Sequence, residues 1–453
     1  MSRHGLLCWK TAGMTAALAV LALLPWSPAW AADIKVQRHT LDNGMVIQVV
    51  ERKALPIISV ELALPDAGAI QDPREQAGMA ALTARLLTEG TATRSADQIA
   101  EAIEYVGASL EAGAGPDFAT VSFTGLSRDL SLGLELMADV TRHPKFAEDD
   151  VTRIRDEVLA DIQAGDDKPG VVAAKAFDKA LFGAHPYALP EEGTEDTVPG
   201  LGPEQLMAFH SRYYVPEGAV ISLVGDVSMG KAKKLVKAHF GGWSGARPAP
   251  QERAAAVPPE GIRLITVDRP VTQANVAMGH LGLTRSDPDY YPVIVMNYLL
   301  GGGALTSRLG DSVRDSQGLA YSIYSAFAGM GDPGSFAVRF QTRNESANQA
   351  IRSVLAELRR IREEKVPQEE LDAAKSYLTG SFPLRLDTNN KTVGLLTFIR
   401  MYGLGDSYFT DYLERVRQVT ARDVQRVARQ YLHPDDMVWV VVANQGEANV
   451  ERP

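Results

Sequence analysis

Arg314 and Tyr321 stand seven residues apart in "GGGALTSRLGDSVRDSQGLAYS", residues 301–322. A guanidinium is a permanent cation carrying a fork of N–H donors, and a phenol adds one O–H. Aimed at a single acceptor, the two could hold a carbonyl oxygen as it gains negative charge. The plainer reading is a surface arginine beside a half-buried tyrosine whose hydroxyl reaches solvent. Spacing by itself leaves both readings open.

The elements around the pair bear on that choice. Leu305, Leu309 and Val313 recur every four residues and predict one buried helical stripe. Gly318 is placed to end that helix. Beyond it, Tyr321, Ile323, Ser325 and Phe327 alternate with Ser322, Tyr324 and Ala326, which is strand spacing. Arg314 is thus expected near a helix end and Tyr321 at a strand start, a unit able to bring the two polar tips together.

The N-terminus bears on the compartment. Arg3 and Lys10 precede the apolar run "AGMTAALAVLALLPW", and Ala29, Trp30 and Ala31 form a small-x-small pattern. Residues 1–31 therefore read as a secretory signal peptide, with a periplasmic destination. A membrane anchor is the competing reading, but the apolar run is short and Pro25 and Pro28 interrupt it. Cys8 is the only cysteine and lies inside that segment, so a processed chain has no disulfide and no thiolate metal site. Losing Arg3 and Lys10 moves the formal charge from -10 to -12, and without a basic tract nucleic acid is not an expected partner.

A chain of 453 residues exceeds one ordinary hydrophobic core. Residues 244–260, "SGARPAPQERAAAVPPE", are rich in Pro and Ala and read as a linker between domains at 32–243 and 261–453. An internal echo supports the division. "RYYVPEGAVISLVGD" from Arg212 resembles "QYLHPDDMVWVVVAN" from Gln430, pairing Tyr213 with Tyr431 and Pro216 with Pro434. In the first half "MVIQVVE" and "PIISVELAL" read as strands, and helical patterns run over 76–87, 96–106, 130–141 and 149–164. In the second, a long helix over 290–300 precedes the opening segment, then strands and further helices. The expected class is α+β: two homologous halves, each a mainly antiparallel sheet covered by helices on one face.

The wording "GGGALTSRLGDSVRDSQGLAYSIYS" closely resembles the C-terminal-half signature of the pitrilysin/insulinase family of zinc metallopeptidases. The resemblance implies a clamshell-type assembly, with two subunits of two repeated halves closing around a peptide. It also implies that Arg314 and Tyr321 hold substrate from across the cavity, opposite a zinc supplied by another domain. The first half would carry that zinc through an inverted His-x-x-Glu-His motif, two imidazoles one helical turn apart with a glutamate to activate water.

The matching stretch is "GMAALTARLLTEGT", whose Gly78, Leu86, Gly90 and Thr91 set the register. Ala81 then stands for the first ligand, Ala84 for the general base and Arg85 for the second ligand; Asp161 aligns with the family's third, a glutamate. A methyl group cannot coordinate a cation and a guanidinium repels one. The eight histidines, His4, His39, His143, His185, His210, His239, His280 and His433, include no two close enough in sequence to share a helical turn. His185 in "HPY" reads as structural, His280 as packed or hydrogen-bonded, and Tyr290 and Tyr291 as core and surface contacts opening a helix.

The resemblance and its departure together imply a non-catalytic subunit that binds no cofactor itself and is inactive alone. It would lend Arg314 and Tyr321 to a homologous HxxEH-bearing partner that carries zinc, in a periplasmic heterodimer hydrolysing peptides or unfolded proteins. The alternative is a non-enzymatic clamshell scaffold or peptide-binding protein of the cell envelope, as the core subunits of respiratory complexes resemble these peptidases without cleaving anything. Catalysis by an unrelated site has no nucleophile and base constellation behind it.

Overall fold

The computed structural model describes residues 34–452, so the expected signal segment at 1–31 lies outside the described residues. The first half builds a six-stranded sheet from β1 (Gln37–Thr40), β2 (Val46–Glu51), β3 (Ile57–Pro65), β4 (Ser109–Ala114), β5 (Phe118–Leu126) and β6 (Val220–Gly225), in the order β1-β2-β6-β3-β5-β4. The second builds a five-stranded sheet from β7 (Arg263–Asp268), β8 (Gln273–Leu281), β9 (Ala320–Phe327), β10 (Ser335–Arg343) and β11 (Val438–Ala443), in the order β7-β11-β8-β10-β9. Pairing is antiparallel except where β2 meets β6 and β7 meets β11. Without β1 the two orders correspond strand for strand. The echo between Arg212 and Gln430 therefore marks the same central strand in each half. Between the halves, residues 244–259 hold neither helix nor strand.

Helices α1 (Met79–Leu86), α2 (Ala96–Tyr105), α3 (Leu130–Arg142), α4 (Glu148–Asp166), α5 (Pro169–Phe182), α6 (Pro203–Tyr213) and α7 (Met229–Phe240) belong to the first half. The second contributes α8 (Tyr290–Asn297), α9 (Ala347–Glu363), α10 (Gln368–Ser381), α11 (Asn389–Met401), α12 (Tyr408–Gln418) and α13 (Ala421–Tyr431). Local chemistry starts several of them. Ser95 and Gln98 form a capping box at α2, Thr420 and Asp423 one at α13, and Pro169 occupies the first turn of α5. Helices α3 and α7 pack on the outer face of the first sheet, α8 and α9 on that of the second, giving each half its own apolar core. This is the two-half α+β architecture the sequence predicts.

One helix from each half also crosses to the other. Helix α5 lays Ala173, Phe177 and Leu181 on Ala277, Val438 and Val440, the inner face of the second sheet. Helix α11 lies over β3 and β6 of the first sheet, where Val50 and Val224 join the second half's core and polar side chains bond across. Asn389 Nδ2 donates to the Ile57 carbonyl (3.2 Å), and Thr124 Oγ1 donates to Asn390 Oδ1 (2.8 Å). This exchange explains the uninterrupted runs "VISLVG" and "VWVVVA". Strands β6 and β11 are buried throughout because a layer covers each side, so neither alternates.

The hairpin tips meet as well. Asp117, between β4 and β5, accepts from Tyr187 Oη (2.5 Å), from Tyr402 Oη (2.7 Å) and from the Gly331 N–H (3.1 Å) between β9 and β10. One carboxylate thus ties together a phenol from each half and the second sheet's hairpin.

His280, on β8, is packed and hydrogen-bonded as expected. Its Nδ1–H donates to the Leu281 carbonyl (2.8 Å), its Nε2 accepts from the His433 N–H (3.1 Å), and burial pushes it down to about 4. A proton on Nε2 would face another donor. The unfolded chain takes up that proton near pH 6.5 and the folded chain only near 4, so stability present above pH 6.5 is lost as pH falls through about 4. Urea titrations should lose about 3 kcal/mol over this window. His280→Asn should flatten the slope; an unchanged slope would refute the assignment.

The opening segment departs from its expected single helix. Helix α8 passes into a π-helical turn at Tyr298–Gly302, a 3-10 turn follows at Ala304–Thr306, and a second π turn spans Gly310–Ser316. Leu309 and Val313 are buried, but Leu305 is 60% exposed. The four-residue spacing from Leu305 is broken because Ala304 adopts a left-handed backbone (φ 50°), which turns Leu305 off the stripe.

Candidate functional site

Arg314 lies in the second π turn, and Gly318 (φ +62°) reverses the chain after it. The Leu319 N–H bonds back to the Val313 carbonyl (2.9 Å) and the Gly318 N–H to that of Arg314 (3.0 Å), closing the turn. The chain then enters β9 through an irregularity. Ile323 pairs with Phe340 but Ala320 pairs with Thr342, so Tyr321 and Ser322 together oppose Gln341 alone. This β-bulge lets Ala320 and Ile323 both face the helix-covered core and leaves Tyr321 87% exposed, not aligned with Ile323 and Ser325 as strict alternation predicts.

The bulge sets the geometry of the pair. Arg314 Nε donates to the Tyr321 carbonyl (2.9 Å), Nη1 donates to Asp315 Oδ1 (3.0 Å), and the guanidinium carbon lies 5.9 Å from the centre of the Tyr321 ring. Nη2 has no protein partner among the described residues. A tethered guanidinium and an exposed phenol thus sit side by side with donors to offer. The glycine run supports this edge of the sheet. A Cβ on Gly301 would come within 2.5 Å of Ser325 Oγ and 2.7 Å of its backbone N, so only glycine lets the loop lie on β9. Asn297 Nδ2 meanwhile donates to the Ser325 carbonyl (3.1 Å). β9 is an edge strand, and these side chains occupy two of its carbonyls.

The other group of residues lies on α1. Asp72 accepts from the Gly78 N–H (2.9 Å) and the Ala80 N–H (3.0 Å) at the start of the helix, and burial pushes its carboxyl up to about 7. Ala81 and Arg85 follow one turn apart on one face, and Ala84 is fully buried. Arg85 reaches α4, where Nη1 donates to Asp161 Oδ2 (3.3 Å) and Nη2 to Glu157 Oε2 (2.9 Å). Asp161 is therefore beside Arg85 in space, across 76 residues of sequence. The guanidinium directs its donors onto the carboxylates with which a metal ion would have to be coordinated, so these residues do not fit a zinc ion. Among the described residues, no three His, Cys, Asp or Glu side chains are grouped to hold a metal ion.

His185, His210 and His280 are buried and serve packing. His185 Nδ1 accepts from the Tyr187 N–H (3.1 Å), and its Nε2 meets Asp332 Oδ2 (3.2 Å). The fold brings His280 and His433 rings to 5.0 Å, a pairing that sequence distance concealed, but both nitrogens of His280 are already engaged.

Sequence reasoning missed a cavity of about 920 Å³ between α5 and the part of the second sheet that α5 leaves open. Ser322, Tyr324 and Ala326 of β9 line it, immediately after Tyr321. Asp178 on α5 and Arg339 on β10 face it from opposite walls. Burial pushes the Asp178 carboxyl up to about 6, opposed by the positive charge of Arg339. The available signal was Arg339 itself, a cation between the buried Val338 and Phe340 that shares its strand face with Ala337 and Gln341. Ala81, Ala84 and Arg85 do not line the cavity.

Comparison with known proteins follows the two halves. The profile of the insulinase family (peptidase family M16) matches residues 56–195, and that of the peptidase M16 inactive domain matches residues 200–378. An uncharacterized zinc protease of Mycobacterium tuberculosis is 32% identical over 405 residues, 89% of this chain and 92% of its own. One of Bacillus subtilis is 26% identical over 356 residues, 78% and 85% respectively. The crystal structure of a peptidase M16 inactive domain from Pseudomonas fluorescens matches with a TM-score of 0.85 at 32% identity, covering 90% of this chain and 98% of that one. A protease from Helicobacter pylori shares the fold at 0.84 and 23% identity, over 90% and 100%.

Proposed function

The chain belongs to the insulinase (M16) peptidase family, and we propose that within it the chain is the non-catalytic, substrate-holding subunit of a periplasmic heterodimeric peptidase. Arg314 and Tyr321 donate to the carbonyl of a peptide whose scissile bond lies at the metal site of a homologous HxxEH-bearing partner. Arg85 carries this reading. Its guanidinium occupies the second-ligand position and bonds Asp161 and Glu157, while Tyr321 on β9 and Arg314 in the turn before it stay accessible. A chain that only braced another complex would have no use for a phenol turned outward by a bulge beside a tethered guanidinium. The described residues include no helix long and apolar enough to cross a membrane.

In this role the chain binds and orients. Arg314, anchored by Nε, directs its free Nη2 at the carbonyl oxygen, and the Tyr321 hydroxyl approaches the same oxygen from the neighbouring strand position. The test is reconstitution. The purified chain alone should leave an unstructured peptide intact, and mixing it with an HxxEH-bearing M16 subunit should produce cleavage above the partner's own rate. Cleavage by this chain alone, or no gain on mixing with its natural partner, would overturn the reading.

A further inference from the structure

We propose that the cavity between α5 and the second sheet is an extended-peptide site in which Asp178 and Arg339 grip the main chain of the substrate. The inference rests on the substrate-holding reading above and adds where the chain beyond Tyr321 runs and what holds it.

The inner face of the sheet is arranged in rows. Asn275 lies beside Gln341, then Ala277, Arg339 and Tyr324 fall in line, and the next row holds Gly279, Ala337 and Ala326. The first row is closed on itself, because Gln341 Nε2 donates to Asn275 Oδ1 (2.7 Å). The second is not. Arg339 Nε is buried without a hydrogen-bond partner, and among the described residues Asp178 has neither a hydrogen bond nor an ion pair within 4.0 Å. Lys175 and Glu192, which also line the cavity, pair with each other (3.3 Å), and Glu191 lies beside them, whereas Asp178 and Arg339 are opposite charges that leave a gap between them. An unpaired buried donor is costly unless a ligand fills its valence.

An extended segment offers the complement. In strand geometry the backbone groups of successive residues point to opposite edges. Asp178 can accept from the N–H of one residue while Arg339, on the facing wall, donates to the C=O of the next, independent of the side chains. Beyond this clamp the alanines at 337 and 326 leave depth, and Ile70, Phe182 and Met330 close the far end with apolar surface. From Tyr321 to Ala328 the strand runs roughly 23 Å at the usual rise, enough for several residues of extended peptide alongside it. The far end favours an apolar side chain; the middle reads only backbone.

Binding to the isolated chain tests this without a catalytic partner. The probe is a fluorescein-labelled decapeptide with one leucine in a glycine–serine background, the leucine fixing the register, measured by fluorescence anisotropy. Wild type should bind it, and replacing leucine by serine should weaken binding. Ala326→Trp, which fills the cavity from an exposed position, should abolish binding with an unchanged melting curve. N-methylating the probe one position at a time should identify one position costing roughly tenfold or more in wild type and little in Asp178→Ala. Arg339→Met should weaken leucine and phenylalanine probes by equal factors. Wild-type binding that survives Ala326→Trp, or N-methyl effects identical in wild type and Asp178→Ala, overturns the site. Loss of reconstituted cleavage with these effects intact would instead overturn the subunit reading alone.

Discussion

Tyr321→Phe should lower kcat of the reconstituted peptidase roughly 100-fold or more and leave KM close to its starting value. Removing one preorganised donor from a developing oxyanion commonly costs on that order, because the donor is worth most where charge grows and water is excluded. The substitution deletes only a hydroxyl from a ring that is 87% exposed, so folding should be unaffected. Arg314→Ala should cost at least as much, and Arg314→Lys should not rescue it. The guanidinium bonds the Tyr321 carbonyl through Nε and still presents Nη2, whereas a single ammonium must choose between them. The variants should be compared by steady-state kinetics at fixed partner concentration. Unchanged kcat in both would leave the pair a surface feature; a rise in KM alone would make it a ground-state binding contact.

Phe177→Ala should destabilise the chain by about 3–5 kcal/mol, the usual cost of emptying an aromatic from a packed core. Its ring is fully buried on α5, a helix of the first half that packs on the second sheet. The loss therefore falls on the join between the halves. The partner helix α11 meets the first sheet through Asn389, Asn390 and Thr397, and Val50 and Val224 of that sheet join the second half's core, so α5 supplies one of two apolar contacts across the join. Chemical unfolding read by tryptophan fluorescence and by circular dichroism would measure it. A loss below about 1 kcal/mol would show that the site collapses to fill the void. Because α5 is also one wall of the cavity, the variant should bind the leucine probe weakly even where it remains folded.

Much of the architecture was legible because its signals are local. The runs "VISLVG" and "VWVVVA", the Tyr and Pro of the echo and the helical periods over 96–106 and 130–141 each depend on neighbours within a turn or a strand, and the observed elements fall within a few residues of them. Leu305 was misread for the same reason in reverse. Its spacing fits a helix, but a left-handed Ala304 and two π turns break the period, and no residue near it announces those.

For the site, residue types alone determined that "ALTAR" lacks the groups a metal needs, since no fold gives a methyl group a lone pair. They also singled out Arg314 and Tyr321 as donors worth locating. Only the tertiary structure decided how they stand: the bulge opposite Gln341 turns Tyr321 outward, and its carbonyl tethers Arg314. Arg85 found Asp161 and Glu157, and Asp178 came to face Arg339, across 76, 72 and 161 residues of chain. Such pairings depend on how α5 and α4 pack on distant layers, and packing is a property of the whole fold that no local spacing encodes.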